Sequence, residues 1–179
     1  MPSLYDLSFP VIRKTLLNAR QLLDKGAAWA TDNGIASSEF VNWRIYEDML
    51  PLWGQVTFLV MLSQKVIINL TGQELSIVEV KETPLEGLYA VIDSTIAELD
   101  GITGVEGFTA KESTVISCAM GSESFPLSAT DFVIWYATPH NFFHLTTLYN
   151  ILRMKGVPLG KKDYIVTYID DVRQDKVRS

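Results

Sequence analysis

Apolar residues recur at steps of three and four along four stretches of the chain, which is the period of an amphipathic α-helix. Pro10 suits the first turn of the first of these helices, and Asn33-Gly34 suits its end. We therefore expect an extended start over residues 1–9, followed by a first long helix. Its buried stripe consists of Ile12, Leu16, Ala19, Leu23, Ala27 and Ala30.

The second stretch, residues 51–70, is apolar on nearly every side, and this predicts a central helix contacted by several neighbours. Gln55 lies inside it, so its amide must find hydrogen-bond partners within the protein. The third stretch starts at residues 83–86, Thr-Pro-Leu-Glu, which have the form of a capping box with proline at the first helical position. Gly101 marks its end.

A change of pattern at residues 113–127 predicts a small β-hairpin with its turn at Gly121-Ser122. Ser128 then has the position of an N-cap for the fourth helix, with Asp131 three residues later. Pro139 interrupts this helix, and we expect a kink or a restart there because proline lacks an N–H and crowds the preceding turn.

Four long helices joined by short links predict a mainly α fold, an antiparallel four-helix bundle with the small hairpin before the last long helix. Residues 1–164 are expected to form one domain, with residues 165–179 as a C-terminal extension. The length of 179 residues and the 47% of hydrophobic residues fit a single domain with a substantial core.

Charge and motifs exclude several function classes. The net charge of −6 argues against nucleic acids and anionic membranes as partners, since both require a clustered basic surface. Cys118 is the only cysteine, which fits a reducing compartment, and without a signal-peptide pattern we expect a cytoplasmic protein. The chain has no P-loop, dinucleotide fingerprint, G-x-S-x-G or H-E-x-x-H motif.

The candidate chemistry is concentrated at His140 and His144, the only two histidines, which stand four residues apart just after Pro139. On a helix this spacing places both imidazoles on one face. Such a pair can share a metal, relay a proton or occupy a polar pocket. Side chains that could line an apolar ligand site beside them, unless they are simply core, are Trp53, Trp135, Tyr136, Phe143 and Tyr149, with Asp48 before the second helix.

The motifs E-D-M-L-P-L-W-G-Q-V at 47–56, P-H-N-F-F-H-L-T-T-L-Y-N-I-L-R at 139–153 and G-V-P-L-G-K-K-D-Y at 156–164 resemble one known family. This is the domain of unknown function nineteen-ninety-three, within the DinB/YfiT-like metalloenzyme superfamily of four-helix bundles. That superfamily typically holds a divalent metal with three histidines, one on helix two and an H-x-x-x-H pair on helix four. The resemblance places the pair at His140 and His144 and the third position at Gln55, whose amide is a poor ligand for zinc or nickel.

We therefore expect a small-molecule enzyme-like bundle with a pocket between helices two and four. His140 or His144 would act as acid or base and Gln55 would orient a mainly apolar ligand, for isomerisation, cyclisation or elimination in secondary metabolism without a cofactor. Two alternatives stay open. One is a non-catalytic ligand-binding protein or a homodimeric interaction protein, and the other is a transferase that uses zinc or nickel held by His140 and His144, with Glu47 or Asp48 able to add a carboxylate.

Overall fold

The computed structural model describes the backbone of residues 2–178 and the side chains of residues 2–170. It confirms a mainly helical bundle with one antiparallel hairpin. The helices are α1 (Leu4–Asp32), α2 (Ser37–Phe40), α3 (Leu52–Thr71), α4 (Leu85–Asp100), α5 (Ala129–Asp131), α6 (Thr138–Met154) and α7 (Lys161–Arg178). A short 3-10 turn (Val105–Gly107) precedes the two strands of the hairpin, β1 (Val115–Met120) and β2 (Glu123–Ser128). A π-helical segment (Phe132–Ala137) joins α5 to α6.

Four helices form a ring around the core, in the order α1, α4, α3 and α6, and α6 closes the ring against α1. Arg13 forms an ion pair with Asp100, and Arg20, further along α1, forms one with Asp93, which lies earlier in α4, so these two helices are antiparallel. The core consists of the apolar faces that the helical period predicted, and leucines from all four helices are almost completely buried in it.

The helices α3 and α4 run in the same direction, because both begin at the same end of the bundle. Asn42 shows this, since it accepts a hydrogen bond from Trp53 at the start of α3 and donates one to Glu82 just before α4. Residues 72–84 cross the length of the bundle to make this arrangement. Gly72, with a positive φ of 72°, ends α3 at the position that the sequence predicted.

The start of α1 differs from the expectation of an extended segment before Pro10. The helix begins at Leu4, because Ser3 and Asp6 form a reciprocal capping box. Pro10 therefore lies inside the helix. The cap satisfies two backbone N–H groups, and its local hydrogen bonds decide where the helix begins.

The capping box predicted at Thr83 and Glu86 does not form. The helix α4 begins at Leu85 with Pro84 as its N-cap, and the Thr83 hydroxyl donates to the Lys81 carbonyl. Thr83 thus lies one residue too early to cap the helix. By contrast, the predicted cap at Ser128 is confirmed, because its hydroxyl accepts from the Asp131 N–H.

The boundary predicted at residue 164 falls within α7, which packs on the outer face of α1. The amide nitrogen of the buried Asn18 lies within hydrogen-bond distance of the carbonyls of Asp163 and Tyr164 and of the Thr167 hydroxyl. Further along α7, the Tyr168 hydroxyl is 3.0 Å from the Thr15 hydroxyl. The two helices are therefore antiparallel. None of the helices in the described part of the chain is both long enough and apolar enough to cross a bilayer.

Candidate functional site

Both histidines line a cleft of about 220 Å³ between α3 and the helix that contains them. The hairpin turn covers one side of this cleft. The lining consists of Phe58, Met61, Leu62 and Lys65 from α3, Ala119, Met120 and Gly121 from the hairpin, and Tyr136, His140 and His144.

His144 is only 7% exposed, and a chain of hydrogen bonds fixes its tautomer. The Gln55 amide nitrogen donates to the Leu50 carbonyl, at 2.9 Å, so its amide oxygen is the atom that faces His144. That oxygen lies 2.8 Å from His144 Nδ1 and can only accept a hydrogen bond. His144 Nδ1 therefore carries the proton, and Nε2 of the neutral ring keeps a free lone pair.

His140 is held in the same way by a different acceptor. Its Nδ1 lies 2.6 Å from the backbone carbonyl of Tyr136, which again can only accept. The Tyr136 hydroxyl donates to the Ala119 carbonyl, at 2.6 Å, and so ties this turn of helix to the hairpin. The structure thus gives both imidazoles the same orientation, with Nδ1 anchored and Nε2 left for a ligand.

The π-helical segment just before Pro139 brings about this arrangement. Pro139 has no N–H and cannot donate to the Trp135 carbonyl four residues earlier, so the helix widens before it. This confirms the irregularity that the sequence predicted at Pro139. The regular helix α6 then starts at Thr138, with His140 in its first turn and His144 in its second.

The cleft keeps His144 uncharged. Burial first, and the nearby His140 second, lower the pKa of His144 to about 4. The ring stacks on Phe58, with centroids 5.2 Å apart and an angle of 20° between the planes. At neutral pH His144 is therefore a neutral acceptor in an apolar wall. Burial also raises the pKa of Tyr136, which stays a phenol.

The donor set does not fit a metal centre with three protein ligands. Gln55, at the third position, directs its oxygen to His144 Nδ1 and its nitrogen to Leu50, so neither faces the Nε2 side. Glu47 and Asp48 are exposed in the loop before α3. Among the side chains that the structure describes, no group of three histidine, cysteine, aspartate or glutamate residues could hold a metal ion.

Metal analysis of the unmodified protein and of a variant with a third histidine tests whether these residues can form a metal centre. We expect the protein, purified without an affinity tag, to retain less than about a tenth of an equivalent of zinc or nickel. The variant Gln55→His places a good ligand at this position, but on the Nδ1 side of His144, so its affinity for zinc in a competition titration with a chromophoric chelator is expected to rise less than about tenfold. Stoichiometric zinc in the unmodified protein would contradict the expectation.

Of the aromatic residues predicted to contact a ligand, the structure brings Tyr136 to the cleft. Trp135 is 72% exposed and Phe143 is 58% exposed, and neither lines it. Both lie on the outward stripe of the helix, with Pro139 between them at steps of four residues. The edge of Phe143 touches the His144 ring, with centroids 5.3 Å apart, from the solvent side.

Three further candidates lie elsewhere. Trp53 donates to Asn42 at the start of α3, Asp48 is exposed in the preceding loop, and Tyr149 packs against Tyr164 of α7. Asp48 and Trp53 lie before and at the start of α3, and the Tyr149 ring faces α7. The structure therefore does not bring these three side chains to the cleft.

Sequence reasoning missed Phe58, Met61 and Lys65, which form the α3 wall of the cleft. A signal for them existed. They follow Gln55 at intervals of three, six and ten residues, which lie on one side of an α-helix. The helix face that contains Gln55 therefore identifies these three residues from the sequence.

Comparisons with known proteins agree with this fold. The crystal structure of a DinB family member protein from Shewanella denitrificans superposes with a TM-score of 0.75 and 29% sequence identity, over 90% of this chain and 91% of that one. No curated protein matches the chain. The model of the family described as Domain of unknown function (DUF1993) matches residues 4–165. The chain therefore belongs to that family, and its fold is that of a DinB-like helical bundle.

Proposed function

We propose that the cleft binds a small, mainly apolar molecule and that His144 Nε2 exchanges a proton with it, in an isomerisation, cyclisation or elimination without a cofactor. The observation that carries this proposal is the hydrogen-bond chain from the Leu50 carbonyl through Gln55 to His144 Nδ1. It holds one tautomer of His144 and leaves Nε2 of that ring as its basic nitrogen beside the cleft. In this scheme Gln55 positions the ring.

The low pKa of His144, about 4, defines what this base can do. It is unprotonated throughout the neutral range, so it is always ready to accept a proton. The imidazolium that forms is a strong acid and gives the proton back readily. Because so low a pKa also makes the ring a weak base, the scheme needs a carbon whose proton is made acidic by a neighbouring carbonyl, and the proton then returns to another carbon.

The size and lining of the cleft favour a small ligand. Its volume of about 220 Å³ lies below the roughly 300–1,000 Å³ of pockets for drug-sized molecules. Phe58, Met61 and Met120 offer apolar and polarisable surface, which suits an aromatic or branched hydrocarbon part.

A non-catalytic ligand-binding protein is the second candidate. The same low pKa and the same bond to Gln55 would suit a structural histidine that never changes charge. The two candidates share the cleft and differ only in whether Nε2 takes part in turnover.

The variant His144→Asn separates them, because the Asn amide nitrogen can take the place of Nδ1 and still donate to Gln55, while no atom replaces Nε2. Cell extract incubated with each protein and compared by untargeted metabolite profiling identifies what is consumed. We expect turnover to fall about 10²-fold or more in His144→Asn. The control Trp135→Leu, at an exposed position outside the cleft, should keep its activity. Turnover that survives in His144→Asn would remove the acid–base role.

A further inference from the structure

Lys65 is the cationic side chain in the cleft lining, and it is half-buried at the far end of the α3 wall. The ion pairs of the described residues do not include it, and no described aspartate or glutamate lines the cleft. On a surface that carries a net charge of −6, a lysine without an acidic partner in an apolar cleft is unusual. Its charge is available to a ligand.

We propose that Lys65 binds a carboxylate of the ligand, so that the substrate class is a small aromatic or branched carboxylic acid. This inference rests on the proposed function, because it adds the ligand's anionic end to the reacting end beside His144. An ammonium group at the edge of a low-dielectric cleft attracts an anion more strongly than one in open solvent.

The other polar groups of the cleft leave Lys65 as the site for an anion. His144 and His140 both place Nδ1 on protein carbonyl oxygens, and the Nε2 lone pair of the neutral His144 repels an anionic oxygen. The Tyr136 hydroxyl donates to Ala119. A carboxylate that avoids the His144 lone pair therefore gains most at Lys65.

The distance between Phe58 and Lys65 along α3 also limits the length of the ligand. Phe58, which stacks on His144, precedes Lys65 by seven residues, or roughly 10 Å of helix axis. The Lys65 stem can fold back over part of this distance. A short hydrocarbon part would then lie against Phe58 and Met61, with the carboxylate at one end and the carbon that loses a proton at the other.

Two probes that differ only in charge test the carboxylate site. We expect 3-phenylpropionate to shift the NMR signals of the two histidines saturably at millimolar concentrations, and the neutral 3-phenylpropionamide to bind roughly tenfold to a hundredfold more weakly. Lys65→Met should reduce binding of the acid to the level of the amide. Lys65→Arg should keep most of the preference, because it keeps the charge.

The control Lys162→Met removes an exposed lysine on α7, outside the cleft lining, and should bind the acid as the unmodified protein does. Equal binding of acid and amide, no saturable binding of the acid, or an unchanged preference in Lys65→Met would each overturn the carboxylate site. The variant His144→Asn keeps Lys65 and should keep the preference for the acid. Loss of turnover and loss of anion binding can therefore be told apart.

Discussion

Replacing Gln55 with glutamate is expected to raise the pKa of His144 from about 4 to at least its ordinary value of 6.5. In Gln55→Glu, a buried carboxylate would replace the neutral oxygen 2.8 Å from Nδ1 and favour the imidazolium. Residue 55 is only 2% exposed, so the carboxylate would have little other stabilisation than this ring. The pair would hold a proton through most of the physiological range.

NMR can follow this shift because the chain contains only two histidines, and their ring C–H signals can be assigned by substituting one of them. The control Gln55→Met is similar in size and carries no acceptor oxygen, so His144 should remain neutral down to acid pH. A His144 signal that still titrates near pH 4 in Gln55→Glu would show that residue 55 does not contact the ring in solution. In the functional scheme, Gln55→Glu should also shift the acid limb of the activity profile upward.

Acid is expected to destabilise the protein through His144 by up to about 3 kcal/mol. Below pH 6.5 an unfolded chain takes up a proton on this histidine, whereas the folded protein takes it up only near pH 4. The folded state binds fewer protons in this window, so the free energy of unfolding falls as the pH drops from 6.5 to 4. The contribution is fully present at neutral pH.

Urea unfolding at a series of pH values, followed by tryptophan fluorescence, measures this slope. His144→Asn should be flatter than the unmodified protein between pH 6.5 and 4. His140→Gln, which leaves His144 and its bond to Gln55 in place, should keep most of the slope. Carboxylates whose pKa values are lowered, such as Asp100 and Asp163, are common to all three proteins and cancel in the comparison. Identical slopes for unmodified protein and His144→Asn would rule out a buried neutral histidine.

Local signals in the sequence predicted much of the fold. Ser128 caps its helix, Gly72 ends α3 in the left-handed region, and the hairpin register pairs Met120 with Glu123 across the predicted turn. These features depend on a few neighbouring residues, which is why they can be identified without tertiary information. The two differences at helix starts both concern caps. Ser3 and Asp6 form a capping box where an extended segment was expected, and α4 takes Pro84 rather than Thr83 as its N-cap.

The candidate site was predicted in part. The sequence placed His140, His144 and Gln55 together by spacing and by family resemblance, and the structure joins Gln55 to His144 through a hydrogen bond. The aromatic residues predicted the cleft lining less well, because aromatic character does not indicate whether a helical residue faces the cleft or the solvent. Trp135 and Phe143 point outward since the π segment and Pro139 set the rotation of the helix at that point.

By itself the sequence determined the four long helices of the bundle, the hairpin, the position of the irregularity at Pro139 and the location of the histidine pair. These follow from the period of apolar residues and from the backbone chemistry of proline, glycine and capping residues. Only the tertiary structure decided that Gln55 serves His144 Nδ1 rather than the Nε2 side, and that Lys65 shares the cleft with both imidazoles. Those facts depend on how two helices, some ninety residues apart in sequence, are rotated against each other. No local pattern in the chain encodes that rotation.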